Sequence, residues 1–167
     1  MLTIHRPPSG DSLLVDGDRI VAVGPYEELA AARGAGARTR EWAGSLAPGR
    51  YEPDAVRLLE TLYWPDPREA DELGTEPFPA GRTAMTDTRW GGSARRGLQR
   101  MLGRGVTAVA GPFTRAPVRT AVQRSGVLVG AVAPPPVVGG RADFTVLAGD
   151  GSCLVTVVGG RLVYRRA

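Results

Sequence analysis

Few side chains in this 167-residue chain can do covalent or metal chemistry, and they are scattered. There is one histidine, His5, and one cysteine, Cys153, and every strongly basic residue is an arginine. Without lysine, Schiff-base catalysis and a carboxylated-lysine metal bridge are excluded, because both need a primary amine. One cysteine excludes an internal disulfide framework and a cysteine-rich zinc site. Cys153 lies in "SCLVTVV", a strand pattern in which an unpaired cysteine is ordinarily a small buried hydrophobe rather than a nucleophile. His5 alternates with Leu2 and Ile4 and has no orienting partner nearby in sequence, so it reads as structural or solvent-facing.

Two stretches hold the remaining candidates. "WGGSARRG", residues 90–97, sets glycines, Ser93 as a cap, and Arg95 and Arg96 at an expected helix start, the makings of an anion site. It lacks the spacing and the lysine of a nucleotide phosphate loop. "LAPGRYEPDAV", residues 46–56, leaves a Pro-Gly corner and carries Glu52 and Asp54.

Charge is unevenly spread. Residues 51–80 carry Glu52, Asp54, Glu60, Asp66, Glu69, Asp71, Glu72 and Glu76 against Arg57 and Arg68. Residues 81–130 carry Arg82, Arg89, Arg95, Arg96, Arg100, Arg104, Arg115, Arg119 and Arg124 against Asp87. The basic block reads either as an anion or nucleic-acid surface, or as the complement of the acidic block within a chain or across a dimer. Aromatic residues make up 6%, and Trp90 and Phe113 alone lie among the arginines of the basic block, which disfavours nucleic acid. Neither a signal peptide nor an apolar run of membrane-spanning length is evident, so a soluble cytoplasmic protein is the expectation.

The elements that must position these residues follow from pattern. Residues 12–24 read as two strands around Asp16-Gly17-Asp18. A short helix spans 26–33, then the loop "GAGA", then a strand through Arg38–Trp42. Residues 54–63 read as helix, and "DPREADELG", 66–74, has Asp66 and Glu69 placed as a capping box with Gly74 as the stop. That accounts for most of the acidic block without catalysis. A loop over 75–90 precedes a helix at 93–103, a buried strand at 105–111, a helix at 116–126 and a second buried strand at 127–133. Three strands close the chain, with turns at Gly149-Asp150-Gly151 and Gly159-Gly160. The fold class is mixed α+β and α/β, with β structure at both ends and a parallel α/β layer between.

This plan resembles the amidohydrolase superfamily, specifically its imidazolonepropionase-like members. The likeness rests on "LLVDGDRIVAVG", on "ARRGLQRMLGRGVTAVAGP" with "AVQRSGVLVGA", and on "GGRADFTVLAGDG" with "CLVTVVGGRLVYR". It implies a composite β-sandwich from residues 1–47 plus 137–167, around a truncated barrel remnant at 48–136. In that family the first barrel strand carries an acidic residue and two metal-binding histidines after the Pro-Gly corner. Laid on Pro48-Gly49, those positions are Glu52, Asp54 and Val56. A valine ligates nothing, and a hydrolytic zinc centre needs about three protein ligands plus an open position. With Asp66 or Glu69 added, the set is oxygen-only and suits Mg²⁺ or Ca²⁺ better than zinc.

The expectation is therefore a degenerate amidohydrolase-like protein without a metal or other cofactor, acting in binding, scaffolding or regulation. One alternative is a hydrolase of non-peptide C–N bonds with a carboxylate site rebuilt on Glu52 and Asp54. Another is anion or nucleotide binding through Ser93, Arg95 and Arg96. Two or three barrel strands cannot close, so sheet edges need cover. Residues 52–90 are expected over one edge and a second protomer over the other, giving a homodimer, with a further protein partner left open.

Overall fold

The computed structural model describes residues 1–33 and 36–167; the first two residues of the expected "GAGA" loop lie outside the described residues. The chain runs β1 (Leu2–Arg6), β2 (Ser12–Asp16), β3 (Arg19–Gly24), α1 (Tyr26–Arg33), β4 (Arg38–Glu41), β5 (Ser45–Pro48) and β6 (Arg50–Glu52). It continues with α2 (Ala55–Glu60), β7 (Leu62–Tyr63), α3 (Ala70–Leu73), β8 (Phe78–Pro79), α4 (Asp87–Leu102), β9 (Val106–Val109), α5 (Ala116–Ser125) and β10 (Leu128–Val129). It closes with β11 (Phe144–Leu147), β12 (Cys153–Val158) and β13 (Arg161–Arg165).

Two sheets form the sandwich. One has the order β3-β2-β1-β4 and the other β13-β12-β11-β5. The second joins the chain's two ends, because β5 pairs antiparallel with β11, setting Phe144 opposite Pro48. Leu13, Val15 and Ile20 of the first sheet pack on Phe144, Val146, Val155 and Val157 of the second, all buried. Period-2 alternation then turns Thr145 and Thr156 to the far face. There the Thr156 hydroxyl donates to the Leu102 carbonyl at 2.6 Å. That satisfies one of the carbonyls a helix leaves free in its last turn, here in α4. The Gly17 turn and the Gly159-Gly160 turn, with positive φ of 57°, 54° and 73°, meet tip to tip. A Cβ on Gly160 would collide with the Gly17 carbonyl.

Beyond the sandwich, β6, β9 and β10 form a parallel three-stranded sheet in the order β10-β9-β6. Its helices bury Leu59, Trp90, Leu98, Met101, Val118 and Val122 in a second core. The expected composite sandwich with an incomplete α/β layer is thus present. No helix of the described residues is long and apolar enough to cross a membrane.

Several boundaries differ from expectation. The helix expected over 54–63 ends at Glu60, where the Thr61 hydroxyl joins its own N–H on the Arg57 carbonyl. Leu62 and Tyr63 instead pair with Pro79 and Phe78. Part of the 75–90 loop is structured, and α4 begins at Asp87 rather than at 93, capped by the Thr86 side chain. The Trp-Gly-Gly run expected at the helix start lies within this helix, which also holds Gly97. Close packing explains one of its glycines: a Cβ on Gly97 would lie 2.6 Å from Leu59 and 2.8 Å from Trp64. The expected buried strand at 127–133 shrinks to Leu128–Val129. It pairs only with β9, Val129 is 46% exposed, and Gly130 turns the chain away with φ of 78°.

His5 is buried between the sandwich sheets. Its Nδ1 accepts from the Trp42 indole N–H at 3.2 Å and its ring meets the Phe144 ring edge-on at 4.8 Å. Burial, reinforced by the Arg40 charge, lowers its pKa from 6.5 to about 4. Between those values the unfolded chain binds the proton more readily than the folded one, so stability falls as pH drops from about 6.5 towards 4. The loss amounts to on the order of 3 kcal/mol. Urea titrations at pH 7, 6 and 5 should show this decline, and His5→Gln should flatten it.

Candidate functional site

In an α/β layer, functional groups gather at the C-terminal ends of the parallel strands. Here β6 ends at Glu52, whose carbonyl accepts from the Ala110 N–H at 3.0 Å beyond β9. The Glu52 carboxylate does not face an open site. Its Oε1 folds back to accept from the Asp54 N–H at 3.0 Å. The Asp54 carboxylate accepts from Nε of Arg57 at 2.7 Å and also from the terminal nitrogen of that guanidinium. Val56 is already inside α2 and packs against the second core. Asp66 and Glu69 belong to a different cluster. Among the described residues, no three His, Cys, Asp or Glu side chains gather to hold a metal ion. The donor set at this corner does not fit the zinc that the resemblance implies.

The Asp66–Glu69 capping box forms as expected, with Asp66 accepting from the Arg68 N–H at 3.0 Å. It also anchors a clamp between residues 63–69 and α4. The Tyr63 hydroxyl donates to Glu69, and Arg89 reaches Glu69 at 2.8 Å and the Tyr63 oxygen at 3.2 Å. The Tyr63 hydroxyl, followed by the Asp66 N–H and the charges of Arg89 and Arg96, holds the Glu69 carboxyl below its usual range. Arg96 donates to the Trp64 carbonyl at 2.7 Å and faces Asp66 at 3.5 Å.

Ser93 sits inside α4 rather than at its start, so the helix cap is Thr86 and not Ser93. Its fully buried hydroxyl accepts from the Trp64 N–H at 2.9 Å. Ser93 and Arg96 thus fasten the segment from β7 to Trp64 to the helix, while Arg95 on the same helix is exposed. Cys153 is buried, with its sulfur 3.3 Å from the Thr156 hydroxyl.

One charged residue that the sequence did not single out organises the strand ends. Glu60 is buried, and its carboxylate accepts from the Arg115 N–H at 2.6 Å and the Thr114 hydroxyl at 3.1 Å. Its backbone carbonyl accepts from Arg115 Nε at 3.1 Å, and the Arg115 guanidinium lies 4.1 Å over the Trp90 ring. A negative charge at the first turn of α5 is favourable, because the free N–H groups of a helix start concentrate positive potential there. No local pattern marks this role, since the partners lie 54 and 55 positions away.

Comparison with known proteins supports the resemblance drawn from the sequence. Residues 13–32, spanning β2, β3 and most of α1, match the family model described as imidazolonepropionase-like composite domain, bacteria. No curated protein matches the chain. N-isopropylammelide isopropylaminohydrolase from Burkholderia multivorans shares the fold at a TM-score of 0.52 and 18% identity, over 77% of this chain and 36% of that one. A zinc-bound adenosine deaminase from Xanthomonas campestris aligns at a TM-score of 0.49 and 19% identity, over 77% of this chain and 32% of that one. The chain thus spans about a third of the length of each of these two structures.

Glu60 should be worth more than its position on a short helix suggests. Glu60→Ala leaves the Arg115 N–H and the Thr114 hydroxyl without their buried acceptor, and should destabilise the protein by about 3 kcal/mol in urea unfolding. Glu60→Gln, which keeps an acceptor but not the charge, should cost about half as much.

Proposed function

We propose that this chain is an amidohydrolase-fold protein that acts by binding, as a scaffold or regulator, without metal-dependent hydrolysis. The observation that carries this reading is the arrangement at the end of β6. Glu52 is turned onto the Asp54 N–H, Asp54 is paired with Arg57, and Val56 occupies the third matched position. A metal-activated water needs several protein ligands aimed at one point and an open coordination position. Here both carboxylates are committed to holding a turn, and taking up a cation would break the Asp54–Arg57 pair. The competing reading, a hydrolase of non-peptide C–N bonds with a rebuilt carboxylate site, needs those same oxygens free.

Calorimetric titration of the chelator-free protein with Zn²⁺, Mn²⁺ and Mg²⁺ separates the two readings. The expected outcome is no saturable one-to-one binding and no release of ammonia or amine from a panel of cyclic amidines and amino-heterocycles. Stoichiometric metal that is lost in Glu52→Gln and Asp54→Asn, together with metal-dependent turnover, would overturn the proposal in favour of the hydrolase.

A further inference from the structure

The surface built around α4 is divided by charge. On one flank, α4, α5 and β13 enclose a groove of about 390 Å³. Leu98, Leu102, Ala121 and Val163 contribute its apolar lining, and Arg95, Arg124 and Arg161 its charge. Leu162 in the same groove is 37% exposed. No carboxylate lines the groove, and among the described residues none of these three arginines has an acidic partner within 4.0 Å. On the other flank runs the acidic stretch that follows the capping box. Asp71, Glu72 and Glu76 are exposed there and likewise have no basic partner among the described residues. Leu73 and Phe78 lie among them, partly exposed.

The two flanks share a boundary. Gln99 of α4 borders the arginine groove and also the neighbouring cleft, which Glu76 and Pro77 line on one side and Arg100 and Arg104 of the helix end on the other. Arg95 borders the groove and the cleft that holds Asp66 and Glu69. One face therefore carries an acidic half and a basic half on either side of a single helix. A twofold axis through such a face sets each half of one protomer against the opposite half of the other, and every contact is made twice. We propose that this face is a homodimer interface, in which the 71–78 segment of each protomer lies over the Arg95–Arg124–Arg161 groove of its partner. The mixed chemistry favours this occupant over a nucleic acid. The groove floor is apolar and meets Leu73 and Phe78, whereas a phosphate backbone offers charge alone, and no aromatic side chain lines the groove for base stacking. This inference goes beyond the binding role above and holds whether or not the chain hydrolyses a substrate.

Charge reversal tests it directly. Sedimentation velocity should show a dimer that dissociates as salt rises. Arg95→Glu with Arg124→Glu should weaken dimerisation at least about tenfold, as should Asp71→Arg with Glu72→Arg. Because all four residues are exposed, far-UV circular dichroism and Tm should stay close to the unaltered protein's. Mixing the two double variants should restore a one-to-one dimer, because both contacts are then complementary again. A monomer at all concentrations, a dimer indifferent to either double variant, or a mixture that stays monomeric would each overturn the proposal. So would a monomer that binds duplex DNA through Arg95 and Arg124.

Discussion

The structure depends on one sheet whose central strands, β11 and β12, are buried on both faces. The β13-β12-β11-β5 sheet presents Phe144, Val146, Val155 and Val157 to the first sheet of the sandwich. It turns Thr156 and Val158 towards the α/β layer, where Thr156 holds the last turn of α4 and Val158 joins the second core. Neither neighbour can keep its apolar surface from water without this sheet. The sheet itself cannot form until β5, from the first third of the chain, reaches β11 near its end. Loop closure over that separation costs entropy that only the combined burial offsets.

The site follows from this frame. Pro48 and Gly49 pass the chain from the central sheet directly into β6, and a Cβ on Gly49 would strike the Thr107 side chain of β9. The corner therefore fixes where Glu52 and Asp54 emerge. What lies beyond differs from a closed barrel. The layer has three parallel strands, Glu60 ties the end of α2 to the start of α5, and the Asp54–Arg57 pair holds the first turn of α2. Each of these charges holds a helix end in place.

Legibility in the sequence followed the range of the forces involved. The hairpin turns at Gly17 and at Gly159-Gly160, the capping box of Asp66 and Glu69, and the buried nature of Cys153 come from chemistry within a few residues, and all were readable. The start of α4 was not. Glycines at 91, 92 and 97 lower helix propensity, and the close packing that calls for Gly97 comes from segments distant along the chain, Leu59 and Trp64. Ser93 reads as a cap for the same reason, since its partner Trp64 is 29 positions away. Glu60 reads as one more acidic residue of the helix over 54–63, and its contact with Arg115 is tertiary. The parallel strand at 128–129 is shorter than its apolar run, because such a run does not say whether a neighbour will pair with both of its edges.

Sandwich and α/β layer stand or fall together on their shared sheet. Native-state hydrogen exchange in increasing urea measures this without altering the protein. The amides of β2, in the sandwich, and of β9, in the α/β layer, should converge on one opening free energy equal to that of global unfolding. Exchange of β9 and α4 through a separate, lower-energy opening, while β2 stays protected, would contradict it.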